Sequence, residues 1–155
     1  MKNFCAGILC FSVFLLVSCS QASREMDYSA LLDLLAENGF QYVEMGEGSK
    51  LTSRLSVASK SVDIDDYGIG IYEYESNQAM ETDSTYIDSG GCMFSCPGRE
   101  AKVEYGSSPH FFKKDKIIVF YVGENETILE FLNETLGDEF AGFGYINGDN
   151  YTDPY

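Results

Sequence analysis

Tryptophan is absent from the 155 residues, proline occurs three times and histidine once. A lone histidine, His110, rules out metal motifs that need two, H-E-x-x-H among them. It also leaves any Ser-His or Cys-His nucleophile scheme a single base to draw on. Its setting, after Pro109 and before Phe111 and Phe112, points to a half-buried structural role. No G-x-S-x-G occurs. Gly68-Ile69-Gly70 leads into an extended segment and not a helix, so it is no phosphate cradle. C-x2-C redox spacing is missing too. Positive charge is scarce: 10 Lys and Arg stand against 25 Asp and Glu, a net charge of −15. Such a surface repels nucleic acid and anionic headgroups, which excludes nucleic acid as a partner. It attracts cations or basic partners, and it also serves simply as a solvated, soluble exterior. No cofactor motif is present.

The longest apolar run, Phe4 to Val17, is interrupted by Gly7 and Ser12 and is too short to span a bilayer comfortably. Lys2 precedes it, and the first acidic residue is Glu25. That is the layout of an export signal. Leu16-Val17-Ser18-Cys19 then resembles the bacterial lipobox. The resemblance implies a signal peptide over residues 1–18, cleavage before Cys19, and a diacylglyceryl group on the Cys19 thiol. Several acyl chains make such an anchor stable, where one binds marginally. The expected location is the bacterial cell membrane or outer membrane, with the domain outside the cytoplasm. Ser20, in place of Asp, resembles the outer-membrane sorting signal. An ordinary secretory signal cut after Ala22 is the alternative.

The cysteines divide accordingly. Cys5 and Cys10 fall in the leader, Cys19 is the lipidation site, and Cys92 and Cys96 remain. An even pair in an oxidising compartment predicts a disulfide. The C-x3-C spacing lies within Gly90-Gly91-Cys92-Met93-Phe94-Ser95-Cys96-Pro97-Gly98, where Gly and Pro permit a tight turn. A metal pair needs His110 as a third ligand.

Residues 19–26 read as a polar tether, 27–144 as one domain, and 145–155 as a tail rich in Asn, Gly and Asp. Tyr28 to Asn38 predicts a helix with Leu31, Leu34 and Leu35 on one face and Gly39 as its stop. Phe40 to Met45 is extended, ended by Gly46-Glu47-Gly48. Leu55-Ser56-Val57 and Val62-Asp63-Ile64 predict short strands around a Ser59-Lys60 turn. In the strand Ile69 to Glu75, Ile69, Ile71 and Glu73 face one way, Tyr72 and Tyr74 the other. Ser76 caps a helix through Ile87. Ala101 to Tyr105 is extended. Phe111 to Val122 forms the clearest hairpin, its second arm apolar on both faces and so a central strand. Asn125 caps a helix with an Ile128, Leu132, Leu136 stripe, ended by Gly137. The fold class is α+β: a mainly antiparallel sheet, helices packed on one face, ferredoxin-like in its C-terminal part.

Four segments together resemble a group of small bacterial lipoproteins with no assigned activity: Ile71-Tyr72-Glu73-Tyr74-Glu75, Pro109-His110-Phe111-Phe112-Lys113, Ile117-Ile118-Val119-Phe120-Tyr121-Val122-Gly123, and Leu136-Gly137 with Phe140-Ala141-Gly142. The resemblance spans roughly residues 50–142. It implies location and a compact α+β domain, and it carries no catalytic residues. Tyr105 stands where that group often has a tryptophan, and the Cys92/Cys96 pair is not a feature of it.

Asp63-Ile64-Asp65-Asp66-Tyr67-Gly68 resembles a calcium loop, but Tyr74 stands where the twelfth-position Glu belongs. Tyr72 and Tyr74 offer a recognition surface, since tyrosine joins apolar area to a polar tip; they serve equally well to cover helices. Three functions stay open: a tethered module binding an envelope protein or small ligand, a small carboxylate- or metal-dependent hydrolase, and a purely structural envelope protein.

Overall fold

A computed structural model describes residues 24–48, 53–64 and 67–142. The leader, Cys19, Asp65-Asp66 and the tail 145–155 lie outside the described residues.

Asp27 opens the first helix, α1 (Tyr28–Glu37), its carboxylate accepting the Ala30 N–H at 2.7 Å. Gly39, at φ +84°, ends it in a conformation that other residues adopt only at a cost. Leu31 and Leu35 are 1% exposed, whereas Leu34 is only partly buried. Next come β1 (Tyr42–Glu47), β2 (Ser59–Ile64) and β3 (Tyr67–Glu73). Gly46 and Glu47, expected to end β1, continue it through a bulge between Glu44 and Gly46. Ser59 and Lys60, expected to turn, are paired with Tyr72 and Ile71 inside β2, and Leu55–Val57 forms bends. Backbone pairing over Ser59–Ile64 outweighs the local turn signal.

Ser76 caps α2 (Asn77–Ser84), which stops short of the expected Ile87. β4 (Met93–Cys96) and β5 (Arg99–Lys102) form a separate hairpin. β6 (Pro109–Lys114) and β7 (Ile117–Val122) make the expected hairpin around Asp115-Lys116. Asn125 caps α3 (Glu126–Leu136) through the Ile128 N–H, and β8 (Ala141–Gly142) pairs with β6.

The main sheet is wholly antiparallel, in the order β1-β2-β3-β7-β6-β8, so the α+β class holds. β7 is central, as its two apolar faces require. The order β3-β7-β6 matches three strands of a ferredoxin-like unit. The fourth departs from it: β8 pairs with β6 at the edge, while β2 occupies the place beside β3.

The helices are not all on one face. α1 and α3 pack on the side carrying Val62, Ile69, Ile71, Val119 and Tyr121. α2 packs on the other, where Met80 meets Tyr72, Tyr74, Phe111 and Ile118, together with Phe94 from β4. The physical reason is strand parity: β3 and β7 present apolar side chains alternately to both sides, and both sides need cover. Gly70 serves this second layer directly. A Cβ there would lie 1.9 Å from the Phe120 ring.

Met26, expected at the end of the tether, is packed into the domain. Met26 is 5% exposed in the first core, its N–H donates to Asp115 Oδ2 at 2.7 Å, and its carbonyl accepts from Lys116. Among the described residues no helix is long and apolar enough to cross a membrane.

Candidate functional site

A cleft of about 460 Å³ opens between α2 and the β4–β5 hairpin, lined by Ser56, Asp83, Tyr86, Cys96, Pro97 and Arg99. Its size is within the usual range of small-ligand pockets. Asp83 sits in the last turn of α2, three residues after Met80, so both point inward. It is 4% exposed, and its Oδ2 accepts the Ser56 N–H at 2.7 Å. The Tyr74 hydroxyl is buried beside this carboxylate, outside hydrogen-bond geometry. Burial, then the charge of Asp83, pushes the pKa of Tyr74 up, so the phenol stays protonated.

Pro97-Gly98 turns β4 into β5, with Gly98 at φ +75°. That turn sets Arg99 on the lip of the cleft, where Nη2 donates to the Leu55 carbonyl at 3.1 Å. Among the described residues no ion pair joins Arg99 to Asp83. Loop 53–57 forms the remaining wall. Leu55 is fully buried, and the Arg54 guanidinium stands 5.7 Å from the Phe94 and Tyr105 ring centres and 5.9 Å from that of Phe120.

Cys92 and Cys96 are both free thiols, which corrects the expected disulfide. Met93–Cys96 is an extended strand, and four steps of such chain cover about 13 Å. A disulfide needs Cα atoms within about 7 Å. The thiols instead donate separately, Cys96 to the Arg54 carbonyl at 3.2 Å and Cys92 to the Gly90 carbonyl at 3.4 Å. Burial raises both pKa values; at Cys96 a hydrogen bond to Arg99 partly opposes it. Neither is therefore an activated nucleophile.

Tyr72 and Tyr74 are 3% and 4% exposed. They are part of the second core, Tyr72 stacking on Phe120 at 5.8 Å, and form no recognition surface. Of the two roles open to them, they take the one of covering a helix, because α2 and the β4–β5 hairpin lie over them.

His110 is buried, not half-buried, at 3% exposure. Its Nε2 lies 3.1 Å from the Gly123 carbonyl and must carry a proton, since a carbonyl only accepts. Nδ1 lies 3.2 Å from Glu139 Oε2, and the ring stacks on Tyr121. With both nitrogens engaged this way, neither is bonded to a hydroxyl or thiol, as a nucleophile relay requires. Among the described residues no group of three His, Cys, Asp or Glu side chains is placed to hold a metal ion. Asp63 of the calcium-loop segment pairs with Gly68 in the β2–β3 hairpin.

Sequence reading missed Asp83, Arg99 and Arg54. A signal for Asp83 was present: it is an acid at i+3 from the single large apolar residue of α2. Arg99 and Arg54 have no local signal, because long-range packing brings them to the cleft. Compared with family models, curated proteins and solved structures, the chain finds no match.

Proposed function

We propose that the protein is a lipid-anchored binding module of the bacterial envelope, and that the cleft between α2 and the β4–β5 hairpin is its binding site. The observation that carries the binding role is the cleft itself, with a buried carboxylate and a guanidinium that are not paired to each other. Groups of this kind fix the orientation of a ligand in a pocket. The anchor rests on Leu16-Val17-Ser18-Cys19 and the apolar run before it. The acidic surface favours an uncharged or cationic partner over nucleic acid.

The two halves of the proposal separate experimentally. Cys19→Ala abolishes labelling by a fatty-acid analogue in cells; retained labelling removes the anchor. For the site, the acylated full chain in detergent micelles is screened against a small-fragment library by amide chemical-shift mapping. Shifts gathered on Ser56, Tyr86, Cys96 and Arg99 support the cleft. A library that moves none of them removes it.

A further inference from the structure

We infer that the cleft takes a small zwitterion, a molecule of amino-acid to dipeptide size with an ammonium at one end and a carboxylate at the other. The inference rests on the cleft being a binding site, as proposed above.

The argument starts from charge. Asp83 is a carboxylate with 4% exposure, and among the described residues it accepts a hydrogen bond from the Ser56 N–H. Buried charges are normally paired, because desolvating one costs several kcal/mol. Among the described residues Asp83 has no cationic side chain within ion-pair distance, and Arg99, which shares its cleft, does not reach it. An ammonium entering the cleft supplies the missing countercharge. The Tyr74 hydroxyl, buried without a hydrogen-bond partner, stands beside that carboxylate as a second polar group.

The outer lip has the opposite polarity. A guanidinium has five N–H donors; Arg99 places one on the Leu55 carbonyl and also interacts with the Cys96 thiol. The remaining donors suit a carboxylate, which a guanidinium grips in a planar fork. The cleft thus holds an anion at depth and a cation at the rim, in the order that fits a zwitterion entering amine first. Tyr86 and Pro97 give it an apolar side. The protein's net charge of −15 disfavours ligands that are purely anionic.

The experiment titrates the acylated full chain in micelles with L-alanine, L-alanyl-L-alanine, N-acetyl-alanine and alanine amide, following amide shifts at Tyr86, Cys96 and Arg99. Charge-assisted hydrogen bonds contribute about 1.5–3 kcal/mol, so removing either ligand charge is expected to weaken binding roughly ten- to a hundredfold. Comparing alanine with the dipeptide separates a free amino acid from a peptide as the source. Arg99→Gln, an exposed position, is expected to erase the advantage of alanine over alanine amide; Asp83→Asn erases its advantage over N-acetyl-alanine. Equal binding of all four compounds overturns the inference. So does saturable binding of uncharged fragments at the cleft with no response to any zwitterion, which leaves the binding-module reading standing. If no compound of any class moves these residues, both fall.

Discussion

Under α1 and α3 the sheet presents Val62, Ile64, Ile69, Ile71, Ile117 and Val119, and the helices answer with Leu31, Leu35, Ile128 and Leu132. Under α2 and the β4–β5 hairpin the layer is aromatic: Tyr72, Tyr74, Phe94, Phe111 and Phe120. It also contains Ser53, Asp83 and Ser84, three of the four buried polar residues among those described. The first face is mainly aliphatic and closed, with Phe112, Tyr121 and Phe131 and the buried His110–Glu139 contact at its Tyr121 end, and it stabilises the fold chiefly by burying area. The second combines rings, a guanidinium and a carboxylate around an open cleft. Polar groups of that sort are costly to bury, and their concentration on one side is what supports placing the proposed ligand site there.

That contrast can be broken in several ways. Leu132→Ala, at a fully buried position of the aliphatic face, is expected to cost about 3 kcal/mol in urea denaturation. A loss below about 1 kcal/mol would mean that this face is not the closed one. Gly70→Ala drives a methyl group into the Phe120 ring and is expected to cost about 2 kcal/mol, with the aromatic near-ultraviolet dichroism disturbed. Unchanged dichroism would show that the aromatic layer yields more easily than its packing suggests.

Alkaline titration probes the same layer. Burial pushes the pKa of Tyr105 up to about 12. An unfolded tyrosine titrates near 10, so between these values the folded chain holds a proton that the unfolded chain has lost. The associated stability is complete below about pH 10 and declines as pH rises towards 12, by about 1–2 kcal/mol. Absorbance at tyrosinate wavelengths, followed alongside unfolding, tests this; titration of every tyrosine near 10 contradicts it. Asn125→Ala removes one helix cap from the aliphatic side and should cost about 1 kcal/mol. The smallest effect is a null one. Reductant should leave the melting temperature unchanged, and Cys92 and Cys96 should both alkylate without prior reduction. A reductant-dependent melt would restore the disulfide.

Local chemistry wrote part of this fold plainly. Asp27 was not foreseen as a cap, but α1 and α3 show their apolar spacing and their terminal glycines in sequence. The β6–β7 hairpin and the alternation of Ile71 and Tyr72 were equally legible, because period-two patterning decides them. Two things were not. The first is which face each helix covers: α2 has one large apolar residue, Met80, so its preference for a side comes from the sheet and not from itself. The second is the Cys92/Cys96 segment, where glycine and proline suggest a tight loop while pairing with Arg99–Lys102 straightens it. The cleft shares that cause. Its walls come from residues 56, 83, 86 and 96–99, and only the fold brings them together.

The docking of Met26 against the Asp115 turn acts as a leash. With a lipid on Cys19, five residues of chain lead to Arg24, and fully extended they reach about 18 Å at most. Under that proposed anchoring the domain would hang close to the bilayer by one corner. That corner contains Lys116, one of the few cations in an acidic protein, bridged to Glu25 at 2.7 Å. Under the proposed anchor at Cys19, so short a leash would give the domain a preferred stance on the membrane, which a longer, undocked tether would not provide.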